Sequence, residues 1–109
     1  MKVVPLYPDE RIDDLQLNGV RLIQNPQWFC FGVDAVLLAD FSVRAIKKNA
    51  KIMDLCSGNG IIPLLLSQKS QANSITGLEI QEPVAEMAAR SIRLNHLEEK
   101  IHMECGNLL

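Results

Sequence analysis

Between Lys51 and Gln68 the chain reads KIMDLCSGNGIIPLLLSQ, two apolar segments separated by Cys56, Ser57, Gly58, Asn59 and Gly60. Lys51 to Cys56, with Ile52, Met53 and Leu55, has the make-up of a buried strand, and Ile61 to Gln68 that of an apolar helix. A strand that passes into a helix through a glycine-bearing turn is the building unit of a parallel sheet, because parallel neighbours need a crossover. Glycine lets such a turn take positive φ and lets a ligand lie against the backbone. The helix that follows presents unpaired N–H groups and a partial positive charge, suited to a carboxylate or phosphate. A turn that is merely tight is the plainer reading of the same residues.

The rhythm repeats. Ser74 to Ile80 reads as a second strand and Pro83 to Asn95 as a second helix, with Pro83 in the first turn where its missing N–H does no harm. Val84, Ala88 and Ile92 share one face with Met87 beside them, and Glu86, Arg90 and Arg93 fall elsewhere as a solvated surface. Lys100 to Cys105 is a third strand, and Gly106-Asn107 a turn. Strand, helix, strand, helix, strand at this spacing predicts the βαβαβ half of a doubly wound α/β sheet, a Rossmann-like fold.

Upstream, residues 1–18 form an N-terminal arm, with Arg11 to Asn18 undecided. Gly19 to Gln24 alternates as a strand, Asn25-Pro26 is a turn signal, and Trp28 to Phe31 reads as the return strand of a small hairpin. Asp34 is placed to cap a mostly buried helix over Ala35 to Lys47, carried by Val36, Leu37, Ala39, Val43 and Ile46. Lys47 and Lys48 suit its C-terminal dipole and Asn49 its exit.

The balance of residues excludes several classes. Hydrophobic residues make up 48% of the 109 and charged residues 22%, which describes a folding chain and not a disordered one. The net charge of −2 comes without a lysine or arginine run, so composition gives no electrostatic footprint for nucleic acid. Cys30, Cys56 and Cys105 are odd in number and lack C-x-x-C spacing, which argues against a disulfide framework or zinc site and for a reducing, cytoplasmic setting. His96 and His102 lack metal-ligand spacing. The N-terminus has no secretory h-region, and the longest apolar runs, such as Ile61 to Leu66, are far shorter than a membrane span.

In a doubly wound sheet ligands bind beyond the carboxyl ends of the strands. Asp54 and the Cys56–Gly60 turn lie at one such end, and Glu79 at the next, 25 residues after Asp54. An acidic side chain there is suited to the two hydroxyls of an adenosine ribose. Asn107, past the third strand, offers an amide to an adenine edge. A dinucleotide fingerprint would be G-x-G-x-x-G, but Ile61, Ile62 and Pro63 follow Gly60, so its third glycine is absent. What stands instead is acidic-x-x-x-Gly-x-Gly, on Asp54, Gly58 and Gly60.

That pattern resembles motif I of the class I S-adenosylmethionine-dependent methyltransferases, and Glu79 matches their acidic ribose residue. Cys56 departs from the glycine the family often carries there, a mild change in size. FCFGVDAVLLADF (Phe29 to Phe41), IMDLCSGNGIIPLLLS and GLEIQEPVAEMAARSIRLN are together similar to the bacterial valine-tRNA adenine-N6 methyltransferases of the methyltransferase small-domain group, over about residues 10–109. The F-x-x-G-x-D-x-x-L-L segment discriminates most, since many methyltransferases share motif I.

The resemblance implies a class I methyltransferase fold, S-adenosylmethionine as cofactor, and N6-methylation of an adenine in tRNA. Carried onto this chain, the cofactor residues are Asp54, Cys56, Ser57, Gly58, Asn59, Gly60, Glu79, Ile80, Asn107 and Asp34. It also implies that residues 19–48 border the cofactor site, with the Phe31–Asp34 turn at its methionine end, and that residues 49–109 are the N-terminal half of the binding domain. The family's catalytic Asn-Pro-Pro-Tyr follows its fourth strand and holds a base turned out of the helix. No such tetrapeptide precedes Leu109, so a truncated chain without activity of its own is expected, with no catalytic residue in it. Its first parallel strand would have an open edge, a hazard that a second copy can cover as a homodimer.

Two other classes stand beside this one: a degenerate domain used for interaction, and an oxidoreductase half that binds NAD, which Pro63 disfavours. Each singled-out residue also has a plainer role. Asp54 can cap the turn, Glu79 can be a surface carboxylate, and Asp34 is first a helix cap. Cys56 reads as a small buried filler. Trp28 reads as a packing anchor, with base stacking as its alternative.

Overall fold

The computed structural model describes residues 3–28, 32–55 and 57–106. In chain order these form β1 (Arg11–Asp14), β2 (Arg21–Gln24), α1 (Val33–Val43), β3 (Lys51–Leu55), α2 (Ile61–Lys69), β4 (Ser74–Glu79), α3 (Glu82–Leu94) and β5 (Ile101–Cys105). β3, β4 and β5 make a parallel sheet in that order, so the α/β expectation holds. Leu55 stands beside Leu78, and Glu79 beside Cys105, which brings the carboxyl ends of neighbouring strands level.

One face of the sheet carries the core. Ile75 and Ile101 are buried there against Leu64, Leu65 and Leu66 of α2 and Ile92 of α3. Gly77 lies mid-strand on β4, where an added Cβ would sit 2.5 Å from both the Met103 sulfur and the Ser57 hydroxyl. Only glycine fits. On the opposite face Met53 and Leu55 of β3 remain more than half exposed.

The hairpin differs from the expected one. β2 pairs antiparallel with β1, Ile12 facing Ile23, where the sequence led us to expect pairing with Trp28–Phe31. Trp28 lies in a bend just past the Asn25–Gln27 turn, and Phe29 to Phe31 lie outside the described residues. The physical reason is the Asn18-Gly19 pair, which takes positive φ at both residues (52° and 75°). That is the backbone demanded by tight hairpin turns, and Asn-Gly supplies it without strain. The other edge of β2 is satisfied by α3: Ser91 Oγ accepts the Ile23 N–H at 2.9 Å, and Asn95 bonds both the N–H and the carbonyl of Arg21.

α1 also departs from expectation. Its N-cap is Gly32, and Asp34 lies inside the first turn, where a carboxylate suits the dipole without capping. The helix ends at Val43 and not Lys47, because Ala45 and Ile46 close i→i+3 bonds onto Ser42 and Val43. Asn49 then takes φ 66° to turn the chain into β3. Nor is the helix mostly buried: Ala39 is, whereas Leu37, Leu38 and Phe41 are exposed.

The largest correction is Arg90. Expected on a solvated face, its side chain is 1% exposed. Its guanidinium bonds both Glu10 carboxylate oxygens at 2.6 Å, Glu86 at 2.8 Å and the Pro5 carbonyl at 3.1 Å, and lies 3.8 Å from the Tyr7 ring centre. The Glu10 hydrogen bonds hold Arg90 even more firmly protonated than usual, and Arg90 holds the Glu10 carboxyl below its ordinary value. The segment before β1 is therefore clasped onto α3, while Arg93 is exposed as expected.

Candidate functional site

The chain leaves β3 at Leu55 and turns through Ser57–Gly60 into α2. The Ser57 N–H donates to the Leu78 carbonyl at 2.8 Å, and the Gly60 N–H returns to the Ser57 carbonyl at 3.1 Å. Gly58 and Gly60 take φ of 59° and 86°, the left-handed region. At Gly60 an added Cβ would also press on the Ala88 methyl at 3.2 Å. Gly60 is the N-cap of α2 and has no side chain to donate, so Asn59 Oδ1 accepts the Ile61 N–H at 3.1 Å in its place.

Asn59 is buried, and its amide is held from the hairpin. Asn59 Nδ2 donates to Gln24 Oε1 at 3.1 Å, and Gln24 Nε2 donates to Asp13 Oδ2 at 2.5 Å. The glycine turn is thus tied to β1 and β2 by a chain of side-chain hydrogen bonds. Gln24, which supports the turn from β2, is a contact that sequence reasoning missed. It is the polar end of a strand, and nothing local marks it.

Two carboxylates face the turn. Ser57 Oγ donates to Asp54 Oδ2 at 2.9 Å. Burial pushes the Asp54 carboxyl above its usual range, and the Ser57 hydrogen bond partly offsets this. Glu79 is 8% exposed. Its Oε1 accepts the Gly58 N–H at 3.0 Å and its Oε2 the Gln81 N–H at 2.9 Å. Each oxygen keeps a further lone pair for another donor.

These groups open into one cleft of about 1020 Å³. Asp34, Asp54, Ser57, Gly58, Asn59 and Glu79 all line it, so six of the ten expected residues converge. Gly60 shapes the turn from behind and is not part of the wall. Ile80 is 61% exposed and also absent from the wall, because strand alternation that turns Glu79 inward turns Ile80 out. Gln81, Pro83, Val84 and Met87 stand there instead, and Trp28 and Leu38 complete the α1 side. Cys56 and Asn107 lie outside the described residues. Among the described residues no group of three or more His, Cys, Asp or Glu is placed to hold a metal, and no helix is long and apolar enough to cross a membrane.

No family model matches the chain. Among curated proteins it is 32% identical over 74 residues to the tRNA1(Val) (adenine(37)-N6)-methyltransferase of Bacteroides fragilis, covering 68% of this chain and 30% of that protein. The protein of the same name from Mannheimia succiniciproducens is 32% identical over 79 residues, covering 72% of this chain and 31% of that one. A ribosomal protein L11 methyltransferase of Shouchella clausii is 32% identical over 66 residues, covering 61% of this chain and 21% of that one. The chain spans about a third of the length of the first two.

Solved structures share the fold. Pyrococcus horikoshii TYW2, crystallised with MeSAdo, superposes with a TM-score of 0.75 at 15% identity, over 93% of this chain and 37% of that one. Pyrococcus abyssi tRNA (uracil-54, C5)-methyltransferase, crystallised with S-adenosyl-L-homocysteine, gives 0.68 at 22% identity, over 91% and 24%. Over some two thirds of its own length the chain is thus similar in sequence to the bacterial tRNA1(Val) adenine-N6 methyltransferases, and it shares the fold of TYW2 and the tRNA (uracil-54, C5)-methyltransferase.

Proposed function

We propose that this chain supplies the S-adenosylmethionine-binding half of a methyltransferase that methylates N6 of an adenine in tRNA. One observation carries the reading: Asp54, Ser57, Gly58 and Glu79 meet in one cleft, Asp54 held by the Ser57 hydroxyl and Glu79 by the Gly58 N–H. The residues fit a sulfonium nucleoside. No atom lies within 4 Å of where a Gly58 Cβ would sit, so the turn leaves open space beside its backbone. In this reading the amino-acid tail lies against residues 57–60, and the remaining lone pairs of Glu79 receive the ribose hydroxyls. Burial raises the Asp54 pKa, so a hydrogen bond from the bound nucleoside to its carboxylate would offset part of its lost hydration.

The bound nucleoside would supply an electrophilic methyl group. What the chain supplies is placement, since bringing a nucleophile in line with that carbon is mostly positioning. The tRNA substrate and its adenine N6 are supported by the names of the curated relatives. No Asn-Pro-Pro-Tyr occurs in these 109 residues, so we infer that they bind cofactor without turnover.

Calorimetry tests this. S-adenosylhomocysteine is expected to bind in the micromolar range and NAD not to bind. Loss of S-adenosylhomocysteine binding at millimolar ligand, or tighter binding of NAD, would overturn the cofactor assignment. Methylation of tRNA by the pure 109-residue chain would overturn the inference that it lacks turnover.

A further inference from the structure

We propose that Trp28 forms a stacking wall for a second purine ring in the cleft, separate from the ring of the bound cofactor and belonging to the base to be modified. This deepens the function proposed above and rests on it. The cleft draws on two parts of the fold. Asp54, Ser57, Gly58 and Glu79 come from the strand ends and the glycine turn. Trp28 comes instead from the hairpin side, together with Asp34, Ala35 and Leu38 of α1.

Three observations support a ligand role over packing. Trp28 is 40% exposed, more than a core anchor retains, and among the described residues it is the one aromatic in the cleft wall. A rigid indole face half open to a cleft suits stacking on a flat ring, and every base offers a π-face. Its backbone is also held: the Trp28 N–H donates to the Asn25 carbonyl at 3.0 Å, and the Gln27 N–H to Asn25 Oδ1 at 2.9 Å. Four residues earlier, Gln24 bonds Asn59 in the glycine turn, so Trp28 and that turn are registered against each other. At about 1020 Å³ the cleft lies at the upper end of the range for small-molecule sites, with room for more than one nucleoside.

The chain has a single tryptophan, so its emission reports on this wall alone. Adenosine monophosphate is titrated into the protein alone and into protein saturated with S-adenosylhomocysteine, with calorimetry in parallel. Quenching of Trp28 by the nucleotide in the saturated protein is expected. Trp28→Ala is expected to weaken nucleotide binding about tenfold, the scale of one lost stack, and Trp28→Phe to restore most of it. S-adenosylhomocysteine affinity should stay within about threefold in both variants, since indole stacking on a different ring is what each removes. Quenching by S-adenosylhomocysteine with no further response to the nucleotide would assign Trp28 to the cofactor's ring and overturn the inference. So would unchanged nucleotide affinity in Trp28→Ala. Absence of heat with S-adenosylhomocysteine would defeat the cofactor reading instead, and the nucleotide titration of the protein alone would still decide on Trp28.

Discussion

The carboxylate of Glu79 and the backbone N–H of Gly58 meet at 3.0 Å, joining the tip of β4 to the turn that follows β3. The second oxygen of Glu79 takes the Gln81 N–H, so one buried side chain satisfies two backbone donors from two loops. Both oxygens are needed as acceptors. Glu79→Gln would set an NH2 group against an N–H, leaving one buried donor unpaired at about 1–3 kcal/mol. The expected outcome is a lower melting temperature together with at least a tenfold loss of S-adenosylhomocysteine affinity, read by calorimetry. Full affinity in this variant would remove Glu79 from the binding account.

Asp54 makes the opposite prediction for stability. Its folded pKa is raised, mainly by burial. A carboxyl raised on folding contributes stability that is complete below its unfolded pKa and lost as pH rises through the folded one. Asp54→Asn removes that neutral-pH penalty and still accepts from the Ser57 hydroxyl. Thermal unfolding at pH 7 should therefore show an unchanged or higher midpoint, while S-adenosylhomocysteine binding falls. A midpoint several degrees lower would mean that the charge stabilises the turn.

The two glycines of the turn separate conformation from space. Gly58→Ala and Gly60→Ala each force a side chain into positive φ, worth about 1–2 kcal/mol. Only Gly60→Ala also drives a Cβ onto Ala88. Chemical denaturation should rank Gly60→Ala as clearly less stable. Gly58→Ala should lose ligand affinity out of proportion to its stability, because its new methyl would occupy the open side of the turn.

Arg90 and Glu10 are the strongest stability prediction. Truncating one member of a buried, hydrogen-bonded pair costs about 3–5 kcal/mol, so Arg90→Ala should be close to unfolded at 37 °C. Glu10→Gln is milder and carries the pH test. The Glu10 carboxyl is lowered from its ordinary 4.5, chiefly by the Arg90 hydrogen bonds. Its stability contribution is therefore present above that value and lost as pH falls through the lower folded one. Acid titration below pH 4.5 should weaken the native chain more steeply than Glu10→Gln. Parallel curves would show that the pair does not contribute.

Much of this was legible before any coordinates. The patterns from Lys51 onward mark all three parallel strands and both helices, because short-range pattern decides them, although β3, expected to be buried, keeps no buried residue. Asp54, Ser57, Gly58 and Glu79 were legible for the same reason: strand ends and glycine turns are local features. The pairing of β2 with β1 is not legible although Asn18-Gly19 announces their turn, because the weak alternation of RIDD gives no support. Asp34 was assigned as a cap because it precedes an apolar run, but Gly32 already provides the extended residue. The burial of Arg90 depends on Glu10, Pro5 and Tyr7, some 80 residues away, and no local pattern carries that distance. Gln24 and Trp28 reach the site for an equally non-local reason, the docking of the hairpin on α3.

The clasp on Arg90 has a consequence for biosynthesis. Glu10 leaves the ribosome eighty positions ahead of its partner. Until α3 has emerged, the Glu10 carboxylate lacks its Arg90 partner, and the hairpin lacks the Ser91 and Asn95 groups that close its margin. Vectorial synthesis therefore defers attachment of the segment around Glu10 until α3 is made, and a nascent chain stalled before Arg90 would leave that segment open to proteases.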